Sequence, residues 1–142
     1  MIIKKSSICI LFLTLVFGFG NAQESKAVIK EVAAQFVQGA DLQKGEMLEQ
    51  VLEPKSLQYV LIGGKFNTFS AEQYIAMINK KELGGKPRKI TYQHAEFLGR
   101  NLAIVVLNAV SSEYDFLYQL SMARSASGKW EIVGITTEIS GV

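Results

Sequence analysis

His94 is the side chain best suited to proton transfer in this 142-residue chain, because it is the single histidine. Imidazole changes its charge near neutral pH, so a histidine beside a carboxylate can act as a general base. Tyr92 and Glu96 lie two positions away on either side, which predicts all three on one face of a strand. A lone histidine among polar neighbours is more often a surface residue, and we favour that interpretation.

The sequence contains no pattern typical of a metal site, a nucleophilic serine or a phosphate-binding loop. One histidine, with the single cysteine, Cys9, inside the N-terminal apolar segment, gives no cluster of transition-metal ligands. Ser111 and Ser121 have no base nearby in the sequence. The glycine pairs at 63–64 and 84–85 suit turns and helix ends rather than a phosphate loop. We therefore expect no metal and no cofactor.

The first 22 residues have the three-part layout of a secretory signal peptide. Lys4 and Lys5 precede an apolar run over residues 8–19, and Gly20 and Ala22 occupy the minus-three and minus-one positions of a cleavage site. The run is shorter than the roughly 20 apolar residues that span a bilayer, so we expect no permanent membrane anchor. We predict that residues 1–22 are removed and that residues 23–142 form a single exported domain, periplasmic or secreted.

Charge and cysteine content limit what the exported part can be. Cys9 lies in the segment that is removed, so the exported part contains no cysteine. No disulfide can therefore stabilise the exported part, and its stability must come from the hydrophobic core. The net charge of +2 depends on Lys4 and Lys5, whose removal leaves 13 basic and 13 acidic residues. No basic stripe is present to displace phosphate counterions, so we expect no nucleic-acid partner.

Helical patterns are confined to the first half of the exported part. Apolar residues recur at three- and four-residue steps over residues 25–40, and a second short helix fits residues 46–52 before Pro54. Residues 57–62 read as a strand, and a two-glycine turn joins it to residues 65–69. Ser70 and Gln73 form a capping box for a third helix, which the glycine pair at 84–85 ends.

The second half reads as four strands, over residues 88–97, 102–111, 116–124 and 129–139. Short polar turns separate them, which predicts an antiparallel meander and, with the preceding helices, an α+β fold. The strand over residues 102–110 is apolar at almost every position, so both of its faces must be covered. We predict that helices cover one face and that a second copy covers the other, giving a homodimer.

This order of elements resembles the nuclear transport factor two-like superfamily. The resemblance rests on Ala40-Asp41, residues 46–54, the helix from Glu72-Gln73 to residues 84–86, Ala103-Ile104-Val105 and the closing segment 127–133, Ser-Gly-Lys-Trp-Glu-Ile-Val. Within the superfamily the chain is most similar to the small, often exported bacterial branch labelled "putative lumazine-binding". The resemblance implies a cone-like α+β fold, in which N-terminal helices pack on a curved antiparallel sheet.

The resemblance also identifies residues that would line the cone. Ketosteroid isomerases of this superfamily need a tyrosine, a carboxylate base and a protonated acid, but the matching positions here fall at Phe36, Val60 and Leu120. Apolar side chains cannot move a proton, so isomerase activity is not expected. The isomerase-like alignment implies that Ile104 and Val106 point inward and Val105 outward. The residues implied for a small apolar ligand are Phe36, Val60, Met77, Ile104, Val106, Tyr118, Leu120 and Met122, with Asn108 as one polar contact.

The sequence is compatible with three functions. We favour a non-catalytic domain that binds a small ligand in an apolar pocket. An enzyme of the dehydratase, isomerase or cyclase type would use His94, Tyr118 or Asn108 in the same pocket. If the cone is filled, the domain serves association alone. The state of the pocket separates these alternatives.

Overall fold

The computed structural model describes residues 24–142. The signal-peptide prediction for residues 1–22, and the predicted first residue Gln23, therefore lie outside the described residues. In chain order the elements are α1 (Ala27–Asp41), α2 (Gly45–Glu49), β1 (Leu52–Ile62), β2 (Lys65–Ser70), α3 (Ala71–Asn79), β3 (Lys89–Phe97), β4 (Leu102–Val110), β5 (Tyr114–Arg124) and β6 (Trp130–Gly141). The helices pack on one face of a curved sheet, so the predicted α+β class is confirmed.

The six strands form one sheet in the order β2-β1-β6-β5-β4-β3. The last four strands are the predicted antiparallel meander, and β1 and β2 are the predicted hairpin. β1 pairs with β6 in parallel, which makes the sheet mixed rather than wholly antiparallel. This pairing joins the beginning of the sheet to its end, a long-range contact that no local pattern in the sequence specifies.

The segment around Pro54 differs from the prediction. α2 ends at Glu49 rather than at residue 52, and β1 already begins at Leu52. Pro54 lies in the irregular stretch of β1 between Leu52 and Leu57, where the register against β6 shifts. Proline has no N–H to donate to a ladder and is tolerated at such bulges, so here it marks a strand irregularity rather than a helix end.

The orientation of β4 is the opposite of the predicted one. Ala103, Val105 and Leu107 are buried in the core, whereas Ile104 and Val106 lie on the outer face and are half-buried. A one-residue change of register exchanges the two faces of a strand. Because β4 is apolar at nearly every position, its sequence carries no alternation that could have fixed the register.

α3 begins with the predicted capping box. The Ser70 hydroxyl accepts a hydrogen bond from the Gln73 backbone N–H at 3.1 Å, and the Gln73 side chain accepts one from the Ser70 N–H at 2.9 Å. The helix ends at Asn79, earlier than the glycine pair. Residues 80–88 then return as a loop to the end of α1, where the Gly85 N–H donates to the Ala40 carbonyl at 3.1 Å. None of the helices in residues 24–142 is long and apolar enough to cross a membrane.

Candidate ligand-binding cavity

The inner face of the sheet is filled at one end and open at the other. At the filled end, Phe36 of α1 belongs to the same core cluster as Leu120 and Met122 of β5, and all three side chains are at most 1% exposed. The ring of Phe36 meets that of Tyr118 edge-on, with centroids 5.4 Å apart. Beyond this contact lies a cavity of about 350 Å³. The cone is therefore neither empty nor wholly filled.

The floor of the cavity is a row of side chains that crosses three adjacent strands. Val60 of β1 is paired with Thr137 of β6, and Thr137 is paired with Tyr118 of β5. Inner-face positions alternate along each strand, so the next row toward the mouth holds Ile62 and Ile139. The lining of the cavity therefore runs along the strands from Val60 to Ile62, which is 47% exposed.

Aromatic side chains form much of the wall. Phe69 of β2 and Tyr74 of α3 line one side, and Tyr114 and Phe116 of β5 line the other. The rings of Phe116 and Tyr118 are stacked, with centroids 6.0 Å apart. Pockets that bind small molecules commonly combine such apolar and aromatic walls with a few fixed polar groups.

A buried ion pair lies at the edge of the cavity where α1 ends. The Arg88 Nε donates to an Asp41 carboxylate oxygen at 2.6 Å, and the Arg88 backbone N–H donates to the other oxygen at 3.1 Å. The side chains of Arg88 and Asp41 are only 6% and 11% exposed. The guanidinium also donates to the Tyr118 hydroxyl at 2.7 Å and stands 4.6 Å from the ring centre of Phe116. Both charges are thus matched inside the protein.

The pKa values of the groups around this ion pair keep Tyr74 and Tyr118 neutral. Burial works to lower the pKa of the Arg88 guanidinium, but the charge interactions with Tyr118 and Asp41 and the hydrogen bonds to both outweigh it, so the pKa is raised. Burial raises the pKa of the Tyr118 hydroxyl, and Arg88 opposes that rise only in part. Burial, followed by the nearby Tyr118, raises the pKa of Tyr74 as well. Both phenols therefore remain protonated over the physiological pH range.

Two polar side chains that border the cavity lack hydrogen-bond partners. The Gln58 side-chain nitrogen and the Thr137 hydroxyl are buried and make no hydrogen bond within residues 24–142. Gln58 is 3% exposed and Thr137 is 2% exposed, and both line the cavity. Buried polar groups are nearly always paired, so these two atoms require an explanation.

The structure brings together only two of the nine residues implied for a ligand. Val60 and Tyr118 line the cavity. Phe36, Leu120 and Met122 belong to the filled end, and Met77 is a half-buried α3 residue that packs against the core. The remaining three residues, Ile104, Val106 and Asn108, lie on the outer face of β4, because that strand has the opposite register.

Asn108 and His94 are both outside the cavity. Asn108 donates to the Asp115 carboxylate at 2.7 Å and accepts from the Gln93 side chain. His94 is about half exposed and lies 2.9 Å from a Glu96 carboxylate oxygen. The predicted shared face with Tyr92 is wrong, because the register shifts between Tyr92 and His94 and turns Tyr92 toward the core. Of the three candidates for an enzyme, Tyr118 alone reaches the cavity.

The polar residues of the cavity were missed because local patterns gave no signal for them. In β1 the inward positions include Gln58, whereas Leu57 and Tyr59 point outward and are 42% and 47% exposed. The alternation therefore places the more apolar set on the outer face, contrary to the usual rule for a half-buried strand. Asp41 and Arg88 are 47 positions apart, at a helix end and before a strand, and no spacing rule joins them.

The sequence of this chain matches the model of a known protein family. The model described as "Putative lumazine-binding" matches residues 24–136, which is most of the chain. The chain belongs to this family. The predicted membership of the nuclear transport factor two-like superfamily is confirmed with it. A comparison with curated proteins finds no match.

Solved structures share the fold of this chain at low sequence identity. An NTF-2 like protein of unknown function from Silicibacter pomeroyi is 17% identical, with a TM-score of 0.70 over 80% of this chain and 94% of that one. A ketosteroid isomerase-like protein from Erwinia carotovora atroseptica is 12% identical, with a TM-score of 0.69 over 82% and 97%. A cystatin-like fold protein from Burkholderia xenovorans is 16% identical, with a TM-score of 0.65 over 82% and 92%. At these identities the likeness concerns the fold alone.

Proposed function

We propose that this protein is a non-catalytic domain that binds a small, largely apolar ligand in the cavity at the open end of the cone. One observation carries the proposal: a cavity of about 350 Å³ with aromatic walls opens beside a tightly packed core. A ring-bearing molecule suits such walls, because offset and edge-on ring contacts add to the free energy gained from burial. The description of the family as "Putative lumazine-binding" supports a ring-bearing ligand as well.

The polar groups of the cavity support binding rather than proton transfer. A general base must be within reach of the substrate, yet the Asp41 carboxylate is 11% exposed and both of its oxygens accept hydrogen bonds from its ion-pair partner Arg88. The raised pKa values of Tyr74 and Tyr118 oppose ionisation of either phenol. His94 lies outside this cavity. These features favour a pocket that holds a molecule without changing it.

Native mass spectrometry of the protein taken from its own host tests the binding proposal. We expect a small-molecule adduct on the wild-type chain and none on Ile139→Trp, since Ile139 lines the cavity and a larger ring would fill it. Gln38→Trp is the control, because Gln38 is exposed on α1 and does not line the cavity. Equal adduct on wild type and Ile139→Trp would show that the bound molecule is elsewhere. Its absence from both, with no stabilisation by added apolar rings, would contradict the proposal.

We also propose that the domain acts outside the cytoplasm, on the strength of the signal-peptide layout in residues 1–22. N-terminal sequencing of the protein recovered from its host tests this. The expected first residue is Gln23. A chain that still begins with Met1 and is recovered from the inner membrane would contradict export and indicate an anchor.

A further inference from the structure

Gln58 and Thr137 form an unsatisfied polar patch in the part of the cavity nearest the core. They lie on the adjacent strands β1 and β6, where Gln58 is paired with Ile135 and Val60 with Thr137. The two side chains are therefore diagonal neighbours on the inner face. Each is at least nine-tenths buried, and each has a polar atom without a partner among residues 24–142.

An unpaired buried polar atom costs free energy, and a ligand that pairs it would recover that cost. Burial without a partner carries the full desolvation penalty of the group. The unpaired atom of Gln58 is the amide nitrogen, which donates, whereas the Thr137 hydroxyl can donate or accept. The patch therefore fits a ligand edge that presents an acceptor to Gln58 beside a group that hydrogen-bonds Thr137. A lactam edge, with C=O next to N–H, meets this requirement.

The charges near the patch indicate that this edge is neutral. Asp41 and Arg88 already neutralise each other, so a charged group placed next to Gln58 and Thr137 would be buried without a counter-ion. The other charged residues at the cavity, Glu82, Lys86 and Glu113, are exposed. Lys86 and Glu113 also pair with each other at 2.6 Å.

We propose that Gln58 and Thr137 are a specificity subsite that hydrogen-bonds the donor–acceptor edge of a flat, uncharged ring, such as a lactam or cyclic imide. This inference rests on the proposed ligand-binding function and adds the chemical class of the ligand. The aromatic walls then hold the faces of the ring, and its polar edge points toward the core. Tyr118 is paired with Thr137 in the next strand and lines the cavity beside the subsite.

Calorimetric titration with three two-ring probes tests the subsite. 2-Quinolinone has a lactam edge, naphthalene has the same shape without one, and 2-naphthoate carries an anionic group. We expect Thr137→Val and Gln58→Met each to lower the ratio of 2-quinolinone to naphthalene affinity about tenfold, which corresponds to about 1.4 kcal/mol. Thr136→Val is the matched control, because Thr136 is the exposed neighbour on the opposite face of β6. It should leave the ratio unchanged.

The outcomes distinguish this inference from the function on which it rests. If both rings bind and neither Thr137→Val nor Gln58→Met changes the ratio, the subsite is refuted while ligand binding stands. If 2-naphthoate binds more tightly than both neutral rings and loses that advantage in the two variants, the claim of an uncharged edge is refuted. If no probe binds, naphthalene included, the subsite and the proposed function both fail.

Discussion

Arg88 gives the cavity a polar edge that is fully compensated within the protein. Its guanidinium contacts Asp41, Tyr118 and the Val37 carbonyl, and its backbone N–H also donates to Asp41. Removing one partner of such a buried pair would leave the other charge unpaired, which is far more costly than losing an exposed ion pair. The pair therefore fixes the end of α1 against the start of β3.

The buried tyrosines predict a loss of stability in alkaline solution. The pKa values of Tyr74 and Tyr118 are raised above the ordinary value of 10.0 in the folded protein. The unfolded chain then releases protons from about pH 10 upward while the folded chain keeps them, so stability is fully present below pH 10 and falls above it. Each tyrosine contributes a slope of up to about 1.4 kcal/mol per pH unit.

Urea unfolding at a series of pH values measures this slope. We expect the free energy of unfolding to fall less steeply above pH 10 in Tyr74→Phe than in the wild type. Tyr114→Phe is the control, because Tyr114 is 48% exposed and does not lie on the outer face of the sheet. Identical slopes in all three proteins would show that Tyr74 ionises as freely in the folded state as in the unfolded one.

Leu120 and Ile139 separate the filled end of the cone from the open one. Leu120 is fully buried beneath the helices, so Leu120→Ala should cost about 2–5 kcal/mol by leaving a void. Ile139 lines the cavity and is half-buried, so Ile139→Ala should cost less than about 2 kcal/mol. Thermal unfolding of both variants checks this order, and equal losses would indicate that the open end is packed as tightly as the core.

At the residue scale, the sequence predicted the apolar core better than the cavity. Phe36 and Leu120 were correctly identified as apolar inner-face positions, but they are buried at the filled end. Val60 and Tyr118 reach the cavity as expected. Gln58 could not be identified, because the neighbouring outward positions of its strand are more apolar than the inward ones. Which inner-face residues border empty space depends on how far the helices extend, and no local pattern carries that information.

At the element scale, features with local causes were predictable and long-range pairings were not. The Ser70–Gln73 capping box, the two-glycine hairpin and the four-strand meander are all present. Each depends on residues close together in the chain, or on the alternation of strands and turns. The parallel pairing of β1 with β6 and the register of β4 depend instead on contacts across the whole domain.

The loop over residues 80–88 is held at the cavity by a close approach at Gly84. This glycine has a φ of +76°, and a Cβ atom there would collide with the backbone oxygen of Ala40. Gly64, in the β1–β2 turn, has the same φ of +76°, but no atom lies within 4 Å of the position that a Cβ atom would take there. A comparison of alanine substitutions at Gly64 and Gly84 therefore separates the free-energy cost of the backbone conformation from the cost of the collision.

We predict that Gly64→Ala destabilises the protein by about 1–2 kcal/mol and that Gly84→Ala costs at least twice as much. The left-handed conformation accounts for the shared part of the loss, and displacement of the loop from Ala40 accounts for the rest. Denaturant unfolding of the two variants provides the comparison. Equal losses would mean that the loop moves freely away from α1 and does not help to shape the cavity.

At the scale of the whole molecule, the outer face of the sheet exposes more apolar side chains than is usual for a face in contact with water. Leu57 and Tyr59 of β1 and Leu102 of β4 are exposed there, and Ile104 and Val106 are half-buried. We propose that a second copy of the chain covers this face, as the two-sided apolar character of β4 led us to expect. The side chains at the interface would then be those of Ile104 and Val106, and not the buried Val105.

Sedimentation at micromolar concentration tests the dimer. We expect the wild-type protein to sediment at about twice the mass of one chain, and Ile104→Glu to sediment as a folded monomer because it places a charge in the interface. Gln38→Glu introduces the same charge at an exposed position of α1 and should remain dimeric. A wild-type monomer at these concentrations would refute the proposal.

We propose that a small ring binds at the open end of the cone. Methyl-resolved NMR of the wild-type protein during a naphthalene titration tests this most directly. We predict saturable shifts of the Val60, Ile62 and Ile139 methyl signals, which line the cavity, while the signals of Ile104 and Val106 on the outer face remain unchanged. Shifts confined to Ile104 and Val106, or no saturable shift at any methyl group, would contradict the account.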